Sequence, residues 1–108
     1  MSEAQQRIAD LVQTNDVVLF MKGTASFPQC GFSGRAIQVL KASGLDTKAL
    51  KTVNVLEDDE IRQGIKTFSQ WPTIPQLYIR GEFIGGSDIM MEMYQSGELQ
   101  KVLAGEAA

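Results

Sequence analysis

Histidine is absent from this 108-residue sequence, and cysteine occurs only once, as Cys30. Without histidine, the chain lacks the side chain that most often performs acid–base catalysis near neutral pH, and the commonest ligand of transition metals. A single cysteine cannot close a disulfide within the chain, which excludes a disulfide-stapled secreted scaffold. A zinc or iron–sulfur centre on one copy would also lack soft ligands, so any such centre must take ligands from other molecules.

Long apolar runs and an excess of positive charge are also missing. The longest apolar runs, VVLFM and LYI, are far too short to span a bilayer, so no membrane partner is expected. The net charge is −3 with no block of basic residues, which argues against nucleic acid as a partner. The stretch MSEAQQRIADLVQ shows neither a signal peptide nor an arginine-rich transit peptide. These features predict a cytoplasmic protein, or an organelle-matrix protein if a presequence has been removed.

The hydrophobic pattern predicts one domain, residues 1–108, with the element order αβαβαββαα. VVLFM is a continuous apolar and β-branched run, which is typical of a strand buried on both faces. The last helices are separated by Gly97, and Ser87 or Asp88 is expected to cap the first of these two helices. The predicted helices cover 4–13, 31–43, 56–68, 89–95 and 98–103, and the predicted strands cover 17–21, 51–55 and two segments of 71–86 joined by a tight Arg-Gly turn.

Strands separated by helices favour parallel pairing, whereas the closing hairpin must be antiparallel. The first crossover is expected to be right-handed. The sequence therefore predicts an α/β, thioredoxin-like fold, in which about five helices flank both faces of a four-stranded mixed sheet.

Cys30 lies at the carboxyl end of the first predicted strand, immediately before a helix. Active sites of open α/β sheets gather at this edge. The partial positive charge and free N–H groups of a helix N-terminus stabilise a thiolate, and Lys22, at the other end of the same loop, adds positive charge. The alternative is a buried, inert cysteine, although Pro28, Gln29 and Gly31 are not typical core neighbours.

Four short motifs carry a resemblance to a known family. They are MKG at 21–23, CGFS at 30–33, WPTIPQ at 71–76 and GGSD at 85–88. In this order and spacing they resemble the monothiol glutaredoxins of the CGFS class, from about residue 3 to residue 103. The resemblance implies glutathione binding and a [2Fe-2S] cluster held between two subunits.

Glutathione is an extended tripeptide with two carboxylates and one amine. The resemblance implies that Lys22 and Arg62 bind its glycyl carboxylate, and an arginine is suited to bidentate binding. The spacing alone also allows an ordinary surface ion pair between Arg62 and Asp58 or Asp59 on the same helix. Both interpretations of Arg62 are open at this point.

The other end of glutathione is assigned in the same way. The TIP segment resembles the segment before a cis-proline, which would expose the Ile74 backbone to the ligand main chain, although most bonds to proline are trans. Ser87 and Asp88 follow two glycines at a helix start, where free N–H groups bind a carboxylate. The resemblance implies that the γ-glutamyl carboxylate lies here and that Asp88 accepts from the γ-glutamyl ammonium. The alternative role of Asp88 is plain helix capping.

The resemblance leads to two functional hypotheses. The first is an iron–sulfur carrier: Cys30 from each of two chains and two glutathione thiolates supply the four ligands of a [2Fe-2S] cluster. The carrier would be a homodimer with cluster and a monomer without it, would deliver to acceptor apo-proteins, and could pair with BolA-type proteins. The second is a glutathione-dependent thiol–disulfide oxidoreductase with Cys30 as catalytic nucleophile. The resemblance implies that this second activity is weak.

Several nearby residues have less specific interpretations. Met90, Met91 and Met93 are expected to pack a helix rather than to bind a cofactor. Trp71 could pack on the domain or lie near the site. Phe32 could shield a cluster, contact a partner or belong to the core.

Overall fold

The computed structural model describes residues 2–105; Met1 and 106–108 of the predicted domain lie outside the described residues. Within 2–105 the chain forms nine helices and strands in the predicted order. Two short 3-10 turns, Thr47–Ala49 and Val55–Glu57, flank the second strand. The elements are α1 (Glu3–Thr14), β1 (Val17–Met21), α2 (Gly31–Ala42), β2 (Leu50–Asn54), α3 (Asp59–Ser69), β3 (Gln76–Ile79), β4 (Glu82–Gly85), α4 (Ser87–Ser96) and α5 (Glu98–Leu103).

The four strands form one mixed sheet in the order β2-β1-β3-β4. Strand β1 is parallel to β2 and antiparallel to β3, and β3 and β4 form the antiparallel hairpin. The hairpin turns at Arg80 and Gly81, whose φ values of 48° and 82° suit a tight two-residue turn. The predicted four-stranded sheet with about five helices is therefore confirmed. The right-handed crossover stays a prediction.

Strand β1 lies at the centre of the molecule, and all five of its residues are buried. Successive side chains of a strand point to opposite faces, so β1 contributes to two separate apolar layers. Each fully buried aliphatic side chain in these layers contributes about 1.5–3 kcal/mol. Helices α2, α4 and α5 cover the face with Leu19, Leu40, Met90 and Leu99, and helices α1 and α3 cover the face with Ile8, Val18, Phe20, Ile61 and Ile65.

The methionines of α4 belong to the first of these layers. Met90 is fully buried, and Met91 and Met93 are partly buried against the same cluster. The expected packing role of these side chains is confirmed. No helix within residues 2–105 is both long enough and apolar enough to cross a membrane.

The second strand ends one residue earlier than the predicted range 51–55. Asn54 is its last residue, and its side-chain Oδ1 accepts the Leu56 N–H at 3.1 Å. An asparagine that bonds the N–H two residues ahead turns the chain out of an extended conformation. Val55 therefore starts a 3-10 turn and is buried there.

The third helix begins at Asp59, three residues after the predicted start of 56–68. Asp58 is the N-cap, and its Oδ1 accepts the Ile61 N–H at 3.2 Å. Its other oxygen, Oδ2, lies 2.6 Å from the Arg7 guanidinium of α1. No other ion pair is present within residues 2–105, so Arg62 pairs with neither Asp58 nor Asp59. The alternative interpretation of Arg62 as part of a surface ion pair is therefore wrong.

Candidate functional site

Cys30 is the N-cap of α2, and its thiol lies at the carboxyl edge of the sheet as predicted. Its Sγ accepts the Ser33 N–H at 3.4 Å and lies 3.7 Å from the Ser33 hydroxyl oxygen. Cys30 is partly exposed, whereas Ser33 is completely buried. The alternative of a buried cysteine is therefore wrong.

The surroundings of Cys30 favour its thiolate. Burial by itself would raise the pKa of the thiol, but three neighbouring residues outweigh it. Among the groups that lower the pKa, the N–H and the hydroxyl of Ser33 have the largest effects. The Phe32 N–H and the positive charge of Lys22 have smaller effects. Together they hold the pKa of Cys30 below its ordinary value, and a lowered pKa increases the fraction of reactive thiolate near neutral pH.

The loop from Lys22 to Cys30 is tied by hydrogen bonds at both of its ends. The Lys22 N–H donates to the Ser33 hydroxyl oxygen at 3.0 Å, and the Gly23 N–H donates to Asn54 Oδ1 at 2.9 Å. The Gln29 N–H donates back to the Lys22 carbonyl at 2.9 Å. The long loop that precedes the cysteine is thus a closed turn with a fixed backbone.

A cavity of about 420 Å³ lies beside this loop. Its size is in the usual range for small-molecule sites. Cys30 is not part of its wall, but Phe32, two residues further along, is. The predicted ligand residues come together in this wall, namely Lys22, Arg62, Ile74, Ser87 and Asp88.

The cavity carries three cationic side chains, those of Lys22, Arg62 and Lys66. Arg62 Nε is buried and has no hydrogen-bond partner within residues 2–105. A buried guanidinium N–H without an acceptor is costly, so this end of the cavity is suited to an anion. The sequence interpretation missed Lys66, although its position four residues after Arg62 on α3 places both on one helix face.

The start of α4 forms another side of the cavity, and its N-cap is not the residue that the sequence predicts. Neither Ser87 nor Asp88 caps the helix: the N-cap is Gly86, and no side chain bonds to the free N–H groups. Ser87 is the first helical residue and is buried, whereas Asp88 is exposed on the cavity. The uncapped N–H groups and their partial positive charge are therefore available to an anionic ligand.

The segment before β3 forms a third side of the cavity. The Ile74–Pro75 bond is cis, so the alternative of an ordinary trans proline is wrong. The Ile74 side chain packs inward and is only 8% exposed. The buried Gln76 side chain donates to the Trp71 and Thr73 carbonyls at 3.0 and 3.1 Å, and thereby holds this segment against the domain.

Two aromatic side chains border the cavity. The ring of Trp71 lies 5.8 Å from that of Phe83 and also lines the cavity, so Trp71 both packs on the domain and lies at the site. Phe32 is 59% exposed, so its possible role in the core is wrong. An exposed aromatic ring beside the thiol is available to a partner molecule.

The sheet order, the cysteine at the N-terminus of α2 and the cis-proline before β3 together define a thioredoxin-like thiol protein. Comparison with known proteins narrows this class. The glutaredoxin family model matches residues 17–84. The chain is 56% identical to an uncharacterized monothiol glutaredoxin (ycf64-like) of Synechocystis sp., over 94% of this chain and 92% of that relative. The chain belongs to the glutaredoxin family, among its monothiol members.

Two further relatives agree with this assignment. The chain is 54% identical to the mitochondrial monothiol glutaredoxin-5 of Schizosaccharomyces pombe, over 94% of this chain and 70% of that protein. The chain is 26% identical in sequence to the protein in a crystal structure of a buckwheat glutaredoxin–glutathione complex. The two folds superpose with a TM-score of 0.78, and the match covers 97% of this chain and 93% of that one. The fold is thus that of the family.

Proposed function

We propose that this monothiol glutaredoxin binds glutathione in the cavity and holds a glutathione-ligated [2Fe-2S] cluster at a homodimer interface, for cluster storage and transfer. The observation that carries the proposal is the position of the single thiol. Cys30 is partly exposed, has a lowered pKa and lies beside a cavity that is lined by three cationic side chains. A [2Fe-2S] cluster normally takes four thiolates, so two chains and two glutathiones complete the set.

The cavity has a complementary group for each end of glutathione. Lys22 and Arg62 provide positive charge for the glycyl carboxylate. The uncapped start of α4 at Ser87 provides N–H groups for the γ-glutamyl carboxylate, and Asp88 provides an acceptor for the neighbouring ammonium. The Ile74 N–H and C=O have no hydrogen-bond partner within residues 2–105, which suits pairing with the ligand main chain. The glutathione named with the buckwheat glutaredoxin supports the same ligand.

The number of cluster ligands that one chain supplies also determines the proposed protein partners. Cys30 is the only cysteine of the sequence, so each chain offers the cluster one thiolate. In the proposal, the homodimer forms around the cluster, the apo form is a monomer, and loss of the glutathiones releases the cluster to an acceptor apo-protein. A BolA-type protein that replaces one copy remains a predicted partner. The proposed compartment is the cytoplasm or an organelle matrix, the second being supported by the relative named mitochondrial.

Reconstitution of the full chain tests the proposal. With iron, sulfide and reduced glutathione, we expect a brown protein that elutes as a dimer and contains two glutathiones per cluster. Without glutathione, the same mixture should stay colourless and monomeric, because two of the four thiolates are then missing. Visible absorption, size-exclusion chromatography and thiol analysis measure the outcome. A stable cluster formed without glutathione would contradict the proposed ligand set.

A second function, glutathione-dependent thiol–disulfide exchange, is favoured by the lowered pKa of Cys30. The Cys30 thiolate would attack the glutathionyl sulfur of a protein–glutathione disulfide, forming a Cys30–glutathione disulfide and releasing the protein thiolate. A glutathione thiolate would then attack that disulfide, which restores the Cys30 thiolate and releases oxidised glutathione. No second cysteine is needed. Rapid deglutathionylation of a model disulfide by a protein that stays colourless after reconstitution would favour this function over the carrier.

Replacing Arg62 with methionine is expected to weaken glutathione binding without destabilising the fold. Hydrogen bonds to charged groups contribute about 1.5–3 kcal/mol, so the Kd for reduced glutathione should rise at least about tenfold. The melting temperature should not fall, because the unpartnered Arg62 Nε disappears with the side chain. NMR titration and thermal unfolding measure the two effects. Arg35, an exposed arginine outside the cavity wall, supplies the control variant R35M. Equal weakening in both variants would contradict the assignment.

A further inference from the structure

Two consecutive backbone N–H groups begin the loop between β1 and α2, and side chains from two different elements accept them. The Lys22 N–H donates to the hydroxyl oxygen of Ser33 on α2 at 3.0 Å. The Gly23 N–H donates to Oδ1 of Asn54, the last residue of β2, at 2.9 Å. We propose that Ser33 and Asn54 are positioning residues, which together fix the Lys22–Gly23 backbone, and that Ser33 links this segment to the Cys30 thiolate.

The Ser33 hydroxyl touches both ends of the loop. A hydroxyl has one proton to donate and two lone pairs that accept. Its oxygen accepts the Lys22 N–H, and its proton can be donated to Cys30 Sγ, 3.7 Å away, when the cysteine is a thiolate and has no proton of its own to donate. Ser33 is completely buried, so water does not compete for these bonds. One hydroxyl therefore couples the start of the loop to the thiol at its end.

Asn54 fixes the loop from the neighbouring strand. Strands β1 and β2 are parallel, and Met21 pairs with Asn54 in their register. This pairing places the Asn54 side chain beside the first residues that leave β1. Its Oδ1 accepts from Leu56 at 3.1 Å as well as from Gly23. Asn54 thus turns its own chain and holds the adjacent loop with a single oxygen.

The hydrogen bonds of the Lys22 and Gly23 N–H groups determine the direction of the long Lys22 side chain. The Lys22 side chain lines the cavity, and a free lysine loses about 2 kcal/mol of rotamer entropy when it is ordered. Fixing the backbone at two successive N–H groups sets the direction in which the Lys22 side chain leaves the chain, which lowers the cost of ordering the site on binding. The part of the inference that concerns ligand affinity rests on the proposed glutathione site.

The Ser33 half of the proposal is tested on the thiol alone, without glutathione. Loss of one hydrogen bond to the thiolate in S33A should slow iodoacetamide alkylation about three- to tenfold at a pH below the pKa. The pH profile of alkylation should move to higher pH, because the thiolate loses a donor that lowers the pKa. The control is S43A: Ser43 bonds the Val39 carbonyl at 2.8 Å at the far end of α2, and its removal should leave the profile unchanged. A wild-type profile in S33A would overturn this half.

The Asn54 half is tested by comparing N54A, N54D and D46A in NMR titrations with reduced glutathione. N54A should bind about three- to tenfold more weakly, and N54D, which keeps the acceptor, should recover most of the loss. Asp46 makes the same bond to the N–H two residues ahead, at 2.9 Å to Lys48, but none to the loop, so D46A should bind as the wild type does. Wild-type affinity in N54A would overturn the positioning role.

Failure of the proposed glutathione-binding function and failure of the positioning roles of Ser33 and Asn54 give different experimental results. A wild-type protein that does not bind glutathione rejects the proposed function, while the alkylation profile of S33A still decides the role of Ser33. If N54A does not fold, hydrogen exchange in the wild-type protein decides the role of Asn54. The Gly23 amide should then exchange at least about tenfold more slowly than the Ser26 amide, which has no hydrogen-bond partner within residues 2–105. Equal exchange of the two amides would overturn the role of Asn54.

Discussion

Replacing Cys30 with serine is expected to abolish both the brown colour and the dimer of the reconstituted protein. Each chain contributes one of the four proposed thiolates, so the variant leaves only the two glutathione sulfurs for the cluster. A hydroxyl stays protonated at neutral pH and does not replace a thiolate as a ligand. Less than about a tenth of the wild-type visible absorption should remain after iron, sulfide and glutathione are added. The second proposed function, disulfide exchange, should be lost with the same nucleophile.

The same variant should keep the wild-type fold, which separates loss of function from unfolding. Cys30 caps α2 by accepting the Ser33 N–H, and serine is among the preferred N-cap residues. The melting temperature of C30S should therefore stay within a few degrees of the wild type. A double variant, C30S with S43C, controls for the mere presence of a thiol, because Ser43 lies at the other end of α2. Colour in either variant would contradict the assignment of Cys30 as the protein ligand.

The fold was predictable because its elements carry strong local signals. VVLFM is apolar throughout and becomes the fully buried β1, and the spacing of Ile61 and Ile65 marks the inner face of α3. The predicted boundaries were wrong where a side chain competes with the regular backbone. Asn54 ends β2 through its own turn, and Asp58 delays α3 by capping it. Such side chain–backbone bonds are short-range, but several residues could make them, and periodicity does not choose among them.

The site was predictable only as a set of motifs. Four separate segments of the sequence carry Lys22, Arg62, Ile74 and the adjacent Ser87 and Asp88, and these five residues do line one cavity. Their individual roles stay predictions. Lys66 was missed because a lone lysine on an amphipathic helix usually faces solvent. The uncapped start of α4 was also missed, since serine and aspartate are ordinary caps and only the placement of the backbone shows that Gly86 holds that position.

The bonds made by Ser33 and Asn54 explain why the serine of CGFS is more than an absent second thiol. In Cys-X-X-Cys proteins a second thiol stands three residues after the first, and in this sequence Ser33 occupies that position. In the folded protein its hydroxyl is buried and accepts a backbone N–H. A cysteine there would be a much weaker acceptor, because sulfur accepts hydrogen bonds poorly. The serine of the motif thus supplies a hydrogen-bond acceptor to the loop in addition to leaving out a second thiol.

Replacing Gly23 with alanine is expected to damage the loop and the site far more than the same change at Gly44. Gly23 has φ of +89°, and a Cβ on it would lie 2.5 Å from the Phe27 carbonyl oxygen and 2.6 Å from the Gln29 nitrogen. Both neighbours are backbone atoms, so the whole turn must move. Adding this displacement to the cost of a positive φ gives roughly 3 kcal/mol or more. The melting temperature should fall by more than about 10 °C.

Gly44 separates the two causes of this loss. It follows α2 with φ of +90°, nearly the same as that of Gly23, but a Cβ there would meet no atom within 4 Å. G44A should therefore lose only the positive-φ cost, about 1–2 kcal/mol, and should retain glutathione binding and cluster assembly. In G23A, the turn holds neither Lys22 nor Cys30 in place, so binding and assembly should fall together with stability. If G23A and G44A lose equal stability and both assemble the cluster, the close packing of the loop around Gly23 is not what positions the site.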